Sequence, residues 1–175
     1  MSYKEEIARA MVLLALDPRT LFIGQAVAWP GTYMTQTLAE VPRERLIELP
    51  VAEEMQMGMA TGLALAGYVP VTIYPRFNFM LLAVNQIVNH LDKLPLISRY
   101  RPKVIIRVGI GTTRPLDPQP QHVGDFTEAF RLMCRTIEVV RLEDEREIVP
   151  AYERALKRED GKSTMLVEYG NRYAS

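Results

Sequence analysis

Cysteine and histidine are scarce: the 175 residues contain one cysteine, Cys134, and two histidines, His90 and His122. One thiol closes no internal disulfide, and no zinc-ligand spacing can be assembled from so few Cys and His. Charge of one sign is missing too. Lys and Arg number 21, and so do Asp and Glu, which leaves no net field to recruit nucleic acid, no basic membrane patch and no acidic tail. Long hydrophobic runs are absent as well. The apolar stretch Met11–Leu16 follows Lys4-Glu5-Glu6 and is too short and wrongly flanked for a signal peptide or a membrane span. It reads as part of an amphipathic first helix, and a reducing cytoplasm is the expected setting. Repeats and low-complexity tracts do not occur.

Apolar material is plentiful: 48% of the residues are hydrophobic, enough for one domain over residues 1–175 with its own core. Helical and strand-like segments alternate from end to end, the pattern of stacked β-α-β units. The expected fold is therefore α/β, three-layered, with a mostly parallel sheet flanked by helices. Expected helices cover residues 3–15, 52–66, 78–91, 125–133 and 145–158. Expected strands cover 20–23, 45–48, 69–74, 103–108, 137–141 and 165–169. In the segment 78–91, Leu81, Leu82, Val84, Ile87 and Val88 mark the apolar side by helical spacing. The connector Gly109–Gln121 is long for a loop.

Within the helix expected at 52–66, Gly58 and Gly62 stand four apart. Glycine inside a helix costs up to about 1 kcal/mol against alanine, so two of them call for close approach of another backbone. Stacked on one side, they form a flat groove for a neighbouring helix, within the domain or across a subunit interface. Glu53 and Glu54 open the same helix. Acids are favoured there by the helix dipole alone, yet the preceding RLIELP strand also delivers them to the carboxyl edge of the sheet, where open α/β folds place ligands.

From Leu49 to Asn89 the chain resembles the beta subunits of 2-oxo acid dehydrogenases and, more broadly, the pyrimidine-binding domain of the transketolase family of thiamine diphosphate enzymes. The resemblance rests on Pro50-Val51-Ala52-Glu53, on Gly58, Gly62, Ala66 and Gly67 in family spacing, on the aromatic-Asn-aromatic triplet Phe77-Asn78-Phe79, and on Val84-Asn85-Gln86-Ile87 with Asn89. Upstream, LFIGQAVAWPGTY resembles a further family stretch, with Gln25 where an acid is common. Downstream, a Gly-rich loop closes on His122.

The resemblance implies a role for each of these residues. Glu53 is the catalytic glutamate that bonds the ring nitrogen of the cofactor's aminopyrimidine, making the amino group basic enough to take the thiazolium proton. Phe79 stacks on the pyrimidine, with Phe77 beside it in the cofactor-binding set. His122 reaches toward the substrate. Arg76, in place of a small residue, is a candidate for bidentate binding of a substrate carboxylate or phosphate. Gly58 and Gly62 become subunit-interface positions.

The family's Gly-Asp-Gly diphosphate motif does not occur, and Mg2+ demands an octahedral oxygen set that this chain does not display. A second subunit carrying the diphosphate and Mg2+ half is implied, with a heterotetramer as the expected assembly. The carboxy-terminal domain of the dehydrogenase beta subunits is not found either, which leaves transketolase-like, decarboxylase and dehydrogenase chemistry open. Two other readings stand beside this one: a non-catalytic scaffold subunit pairing through the Gly58/Gly62 helix, and a nucleotide-binding module using GIGTTR, Gly109–Arg114. Prolines 115, 118 and 120 speak against the latter, because a phosphate-cradling loop opens into a helix.

Overall fold

The computed structural model describes residues 1–111, 113 and 117–174. Helix α1 (Tyr3–Ala15) opens with a capping box in which the Ser2 side chain accepts from Glu5 N and the Glu5 carboxylate accepts from Ser2 N at 2.8 Å. It is followed by β1 (Thr20–Gly24), β2 (Leu46–Glu48), α2 (Glu53–Leu65), β3 (Val69–Tyr74), α3 (Phe77–Met80), α4 (Leu94–Ile97), β4 (Ile105–Ile110), α5 (Thr127–Met133), β5 (Glu138–Arg141), α6 (Glu145–Lys157) and β6 (Thr164–Tyr169). The six strands form one sheet in the order β2-β1-β3-β4-β6-β5, and every neighbouring pair is parallel.

Alternation along the strands divides the core into two layers. Phe22, Val71, Ile73, Ile105 and Leu166 face α1 and α6. Ile23, Tyr74, Ile106, Val108, Met165 and Val167 face the layer of α2, α3 and α5. The central strands β3 and β4 are buried along their whole length. Arg107 and Glu168 point into the α1/α6 layer, where they pair with each other and with Tyr152 and Tyr173.

The largest departure from expectation lies at 78–91. The chain there forms α3, a 3-10 turn (Leu81–Ala83) and a π-helical segment (Gln86–Leu91) in place of one regular helix. The buried residues explain the changes of winding: Phe77, Met80 and Ala83 recur at intervals of three, then Ile87 and Leu91 at intervals of four. Tightening and then loosening the coil keeps all five against the sheet. Leu81 and Leu82, expected on the apolar side, are exposed. The helix α4 was not foreseen. Strand β4 runs two residues past its expected end, and α5 begins at Thr127 after a turn in which the Asp125 carboxylate accepts from Thr127 N at 3.0 Å. Among the described residues no helix is long and apolar enough to cross a membrane.

Candidate functional site

β1 connects to β2 on one side of the sheet, while β3 leads to β4 on the other. The carboxyl ends of β1 and β3 are therefore a topological switch point, the place where parallel sheets open a crevice. A cleft of about 1370 Å3 lies there, walled by the loop after β1, the first turn of α2, the segment after β3, and Gly170 and Tyr173 after β6.

Glu53 is the first residue of α2 and is only 8% exposed, yet it lines this cleft. Its carboxylate makes no hydrogen bond or ion pair with any described residue. The carboxylate opens onto the cleft as an acceptor that no described group occupies. Glu54, by contrast, is exposed and receives a 3.4 Å contact from Gln86 Nε2. Beneath Glu53 the hydroxyl of Tyr74 reaches the Glu53 carbonyl at 3.4 Å. Burial pushes the Tyr74 phenol up, and the Glu53 charge adds to this against an opposing bond to Thr72.

The segment after β3 supplies the opposite wall. Phe79 lines the cleft, and behind it the His122 ring packs at 4.9 Å between centroids, tilted by 45°. Two bonds tie the His122 loop to this segment: Arg76 Nη1 donates to the His122 carbonyl at 3.2 Å, and Gly124 N donates to Asn78 Oδ1 at 3.0 Å. Asn78 of the aromatic-Asn-aromatic triplet thus has a visible task. His122 Nδ1 is buried and has no hydrogen-bond partner among the described residues. Phe77 does not line the cleft. It is buried in the core, edge-on to Phe126 at 5.7 Å and tilted against Phe130 at 5.4 Å, so it supports the wall from below.

Arg76 lines the cleft together with Lys4 and Arg43. These three cations and Glu53 are the charged side chains in the described wall, a balance that favours an anionic ligand. Glu48, which sequence reasoning passed over, shapes the rim. Its carboxylate accepts from Ala26 N at 2.6 Å and Ala28 N at 2.7 Å, holding Ala26 at a positive φ of 54°. Its only sequence signal was its place at the end of a strand. Tyr33 closes the rim by donating to the Pro75 carbonyl at 2.6 Å and lying edge-on to Tyr173 at 4.8 Å.

Gly58 and Gly62 part company. A side chain at Gly58 would meet Gln86 at 3.7 Å, an ordinary contact, whereas at Gly62 nothing lies within 4 Å. No described backbone settles against Gly62, and Met55, Met59 and Leu65 on the same helix are also exposed. Of the loop Gly109–Arg114, Thr112 and Arg114 lie outside the described residues; the next described helical element is the 3-10 turn Gln119–His122. Among the described residues no group of three or more His, Cys, Asp or Glu is placed to hold a metal ion.

Comparison with known proteins adds to this geometry. The family described as transketolase, pyrimidine binding domain, matches residues 1–174. A 3-methyl-2-oxobutanoate dehydrogenase subunit beta of Mycobacterium tuberculosis is 32% identical over 130 residues, 73% of this chain and 37% of that protein. A pyruvate dehydrogenase E1 component subunit beta of Staurastrum punctulatum is 36% identical over 105 residues, 57% of this chain and 32% of that protein. The chain thus spans about a third of these relatives, 37% and 32% of their lengths. Among solved structures, a split-gene transketolase described as an inactive beta4 tetramer superposes with a TM-score of 0.71 at 17% identity, covering 97% of this chain and 51% of that one. The transketolase of Campylobacter jejuni does so at 0.71 and 15%, covering 95% and 25%. Both share the fold.

Proposed function

The chain belongs to the transketolase pyrimidine-binding domain family, and from that premise we propose that it is the pyrimidine-binding half of a thiamine diphosphate enzyme acting on a 2-oxo acid or a ketose. Residues 1–175 act as one such domain in a cytoplasmic enzyme. The observation that carries the reading is the largely enclosed Glu53, whose carboxylate faces the switch-point cleft without a partner among the described residues, in a cleft that Phe79 also lines. An aminopyrimidine ring nitrogen shares one proton with that carboxyl group, and the ring's face suits Phe79, a stack worth roughly 0.5–1.5 kcal/mol beyond area burial.

Thiamine diphosphate, when bound, would supply the nucleophilic carbon needed to make or break a C–C bond next to a carbonyl. Glu53 holds a proton at the pyrimidine ring nitrogen. Phe79 orients the ring, with Phe77 anchoring the segment that carries it in the core through Phe126 and Phe130. His122 stands behind Phe79 and outside the cleft lining, and we assign its Nδ1, which has no partner among the described residues, to the substrate. Arg76 receives the substrate's carboxylate or phosphate.

The residues present fit the pyrimidine half of the cofactor. Magnesium and the diphosphate are assigned to a partner subunit, because the described acids form no metal set. Both relatives are named as beta subunits, which supports a heteromer, and a heterotetramer is the assembly we propose. The exposed Gly62 side of α2 is the face offered to the partner, since a flat helix flank admits a second backbone. A chain with this surface but no chemistry would be a scaffold, and the same experiment separates the two.

Co-expression with a candidate partner chain that carries a Gly-Asp-Gly motif, followed by deuterium exchange at C2 of bound thiamine diphosphate, tests the proposal without knowledge of the substrate. Glu53→Gln is expected to slow that exchange by about 100-fold or more while the complex stays assembled. Unchanged exchange rejects the role of Glu53. The isolated chain is expected to bind thiamine diphosphate weakly, and tight Mg2+-dependent binding by it alone contradicts the divided site.

A further inference from the structure

We infer that Gln56 is the positioning residue for Glu53, clamping the first turn of α2 to the ends of two strands so that the carboxylate is held toward the cleft. The inference rests on the role proposed for Glu53 and adds what sets its aim. No described side chain bonds the Glu53 carboxylate, so its direction is decided by the backbone that carries it. That backbone has no cap of its own: Ala52 at the N-cap makes no side-chain hydrogen bond. An uncapped first turn leaves several N–H groups unsatisfied and tends to fray.

Gln56, one turn further on, is 2% exposed. Its Nε2 donates to Thr72 Oγ1 at 2.9 Å and to the Ile73 carbonyl at 2.9 Å, and lies 3.4 Å from the Ile23 carbonyl. Ile23 is in β1 and Thr72 and Ile73 are in β3, so one amide ties the helix to both strands that flank the switch point. Its main chain, meanwhile, donates to Ala52 O at 2.9 Å, closing the turn that contains Glu53.

The neighbouring backbone is shaped around this amide. A Cβ on Gly24 would stand 3.2 Å from Gln56 Nε2 and 2.8 Å from the Ile73 carbonyl. Both Glu53 and Gln56 border a void of about 10 Å3 behind the cleft, on the order of one water in size. Chemistry makes the side chain hard to replace. Three acceptors converge on Nε2, so a carboxylate there would face oxygens with no proton to give, and a thioether would leave them unsatisfied.

The test compares Gln56→Met, Thr72→Val and Glu53→Gln in the assembled complex. Gln56→Met keeps the volume and removes the donors. A displacement near 1 Å at a reacting group costs about 100-fold in rate, so its C2 exchange on bound thiamine diphosphate is expected to fall by roughly 10- to 100-fold. The affinity for thiamine diphosphate should stay within about two-fold, because the pyrimidine face and the partner's half are untouched. In the isolated chain, backbone amides of residues 53–57 should exchange faster with deuterium, a readout independent of any activity. Thr72→Val removes one acceptor of the clamp and should move both readouts less, in the same direction; it keeps the test decisive if Gln56→Met does not fold. Wild-type C2 exchange and unchanged amide protection in the folded variants, alongside an inactive Glu53→Gln, overturn the role of Gln56 and leave that of Glu53 standing. An active Glu53→Gln removes the reading beneath it.

Discussion

Removing the charge of Glu168 is expected to destabilise the chain more than removing that of its partner, Arg107. Both side chains are fully buried, with Arg107 Nε donating to Glu168 Oε1 at 2.7 Å and Nη2 to Oε2 at 3.2 Å. Tyr152 and Tyr173 hydroxyls also donate to Glu168, and Tyr173 accepts from Arg107 Nη2 at 2.8 Å. Arg107 Nη1 has no partner among the described residues. Burial opposes the Arg107 charge, but Glu168 and the phenols hold its proton well above the ordinary value. In Glu168→Gln a guanidinium that cannot shed its proton is left buried with one N–H already unmet. Breaking a buried pair this way costs about 3–5 kcal/mol. In Arg107→Met the carboxylate keeps two phenolic donors and can take up a proton, so about 1–3 kcal/mol is expected. At about 2–4 °C per kcal/mol for a chain of this size, Glu168→Gln should lower Tm by roughly 6–20 °C. Urea unfolding of both variants and of the double variant measures the asymmetry. The reasoning is refuted if Arg107→Met is at least as damaging as Glu168→Gln, or if the two effects simply add.

Further outcomes follow from single contacts. A Cβ on Gly109 would stand 1.7 Å from Tyr33 Oη and 2.8 Å from the Pro75 carbonyl. Gly109→Ala should therefore cost about 1–3 kcal/mol by overpacking, read by urea unfolding, and displace the Tyr33 rim. Gly62→Ala meets open space in the isolated chain and should stabilise it by up to about 1 kcal/mol; if that face carries the partner, size-exclusion chromatography of Gly62→Leu will show assembly lost while the lone chain stays folded.

Asp92 sets a pH dependence. Burial raises its carboxyl, but Lys93 and the N–H groups of Thr136, Arg135 and Ile137 together hold it below its ordinary 3.8. A folded-state value below the unfolded one contributes stability that is full above the unfolded value and fades as pH falls through the folded one. Urea midpoints should therefore drop below pH 3.8 in the wild type, and more shallowly in Asp92→Asn.

Much of the fold could be read directly from the chain. β-branched runs such as those at 69–74 and 103–108 point to buried parallel strands, and helix 3–15 carries its own start signal in Ser2 and Glu5. The segment 78–91 was misread because helical spacing cannot distinguish one regular helix from a coil that tightens and loosens to follow the sheet. Within the candidate site, Glu53 and Phe79 were singled out by the family resemblance and Arg76 by its departure from it, and all three line the cleft. Gln56 and Glu48 were not: an amide in a helix and an acid at a strand end carry no local signal until their acceptors and donors, 16 to 33 residues away, come into reach.

The sequence by itself determined the parallel α/β class, the order of its six strands and the start of α2 at a pair of acids, because periodicity and helix-start signals are local. Only the tertiary structure decided that Glu53 has no partner among the described residues, that no described atom lies against Gly62, and that Arg107 and Glu168 meet in the core. Those are properties of groups distant along the chain, and the pairing of neighbouring strands alone brings them together.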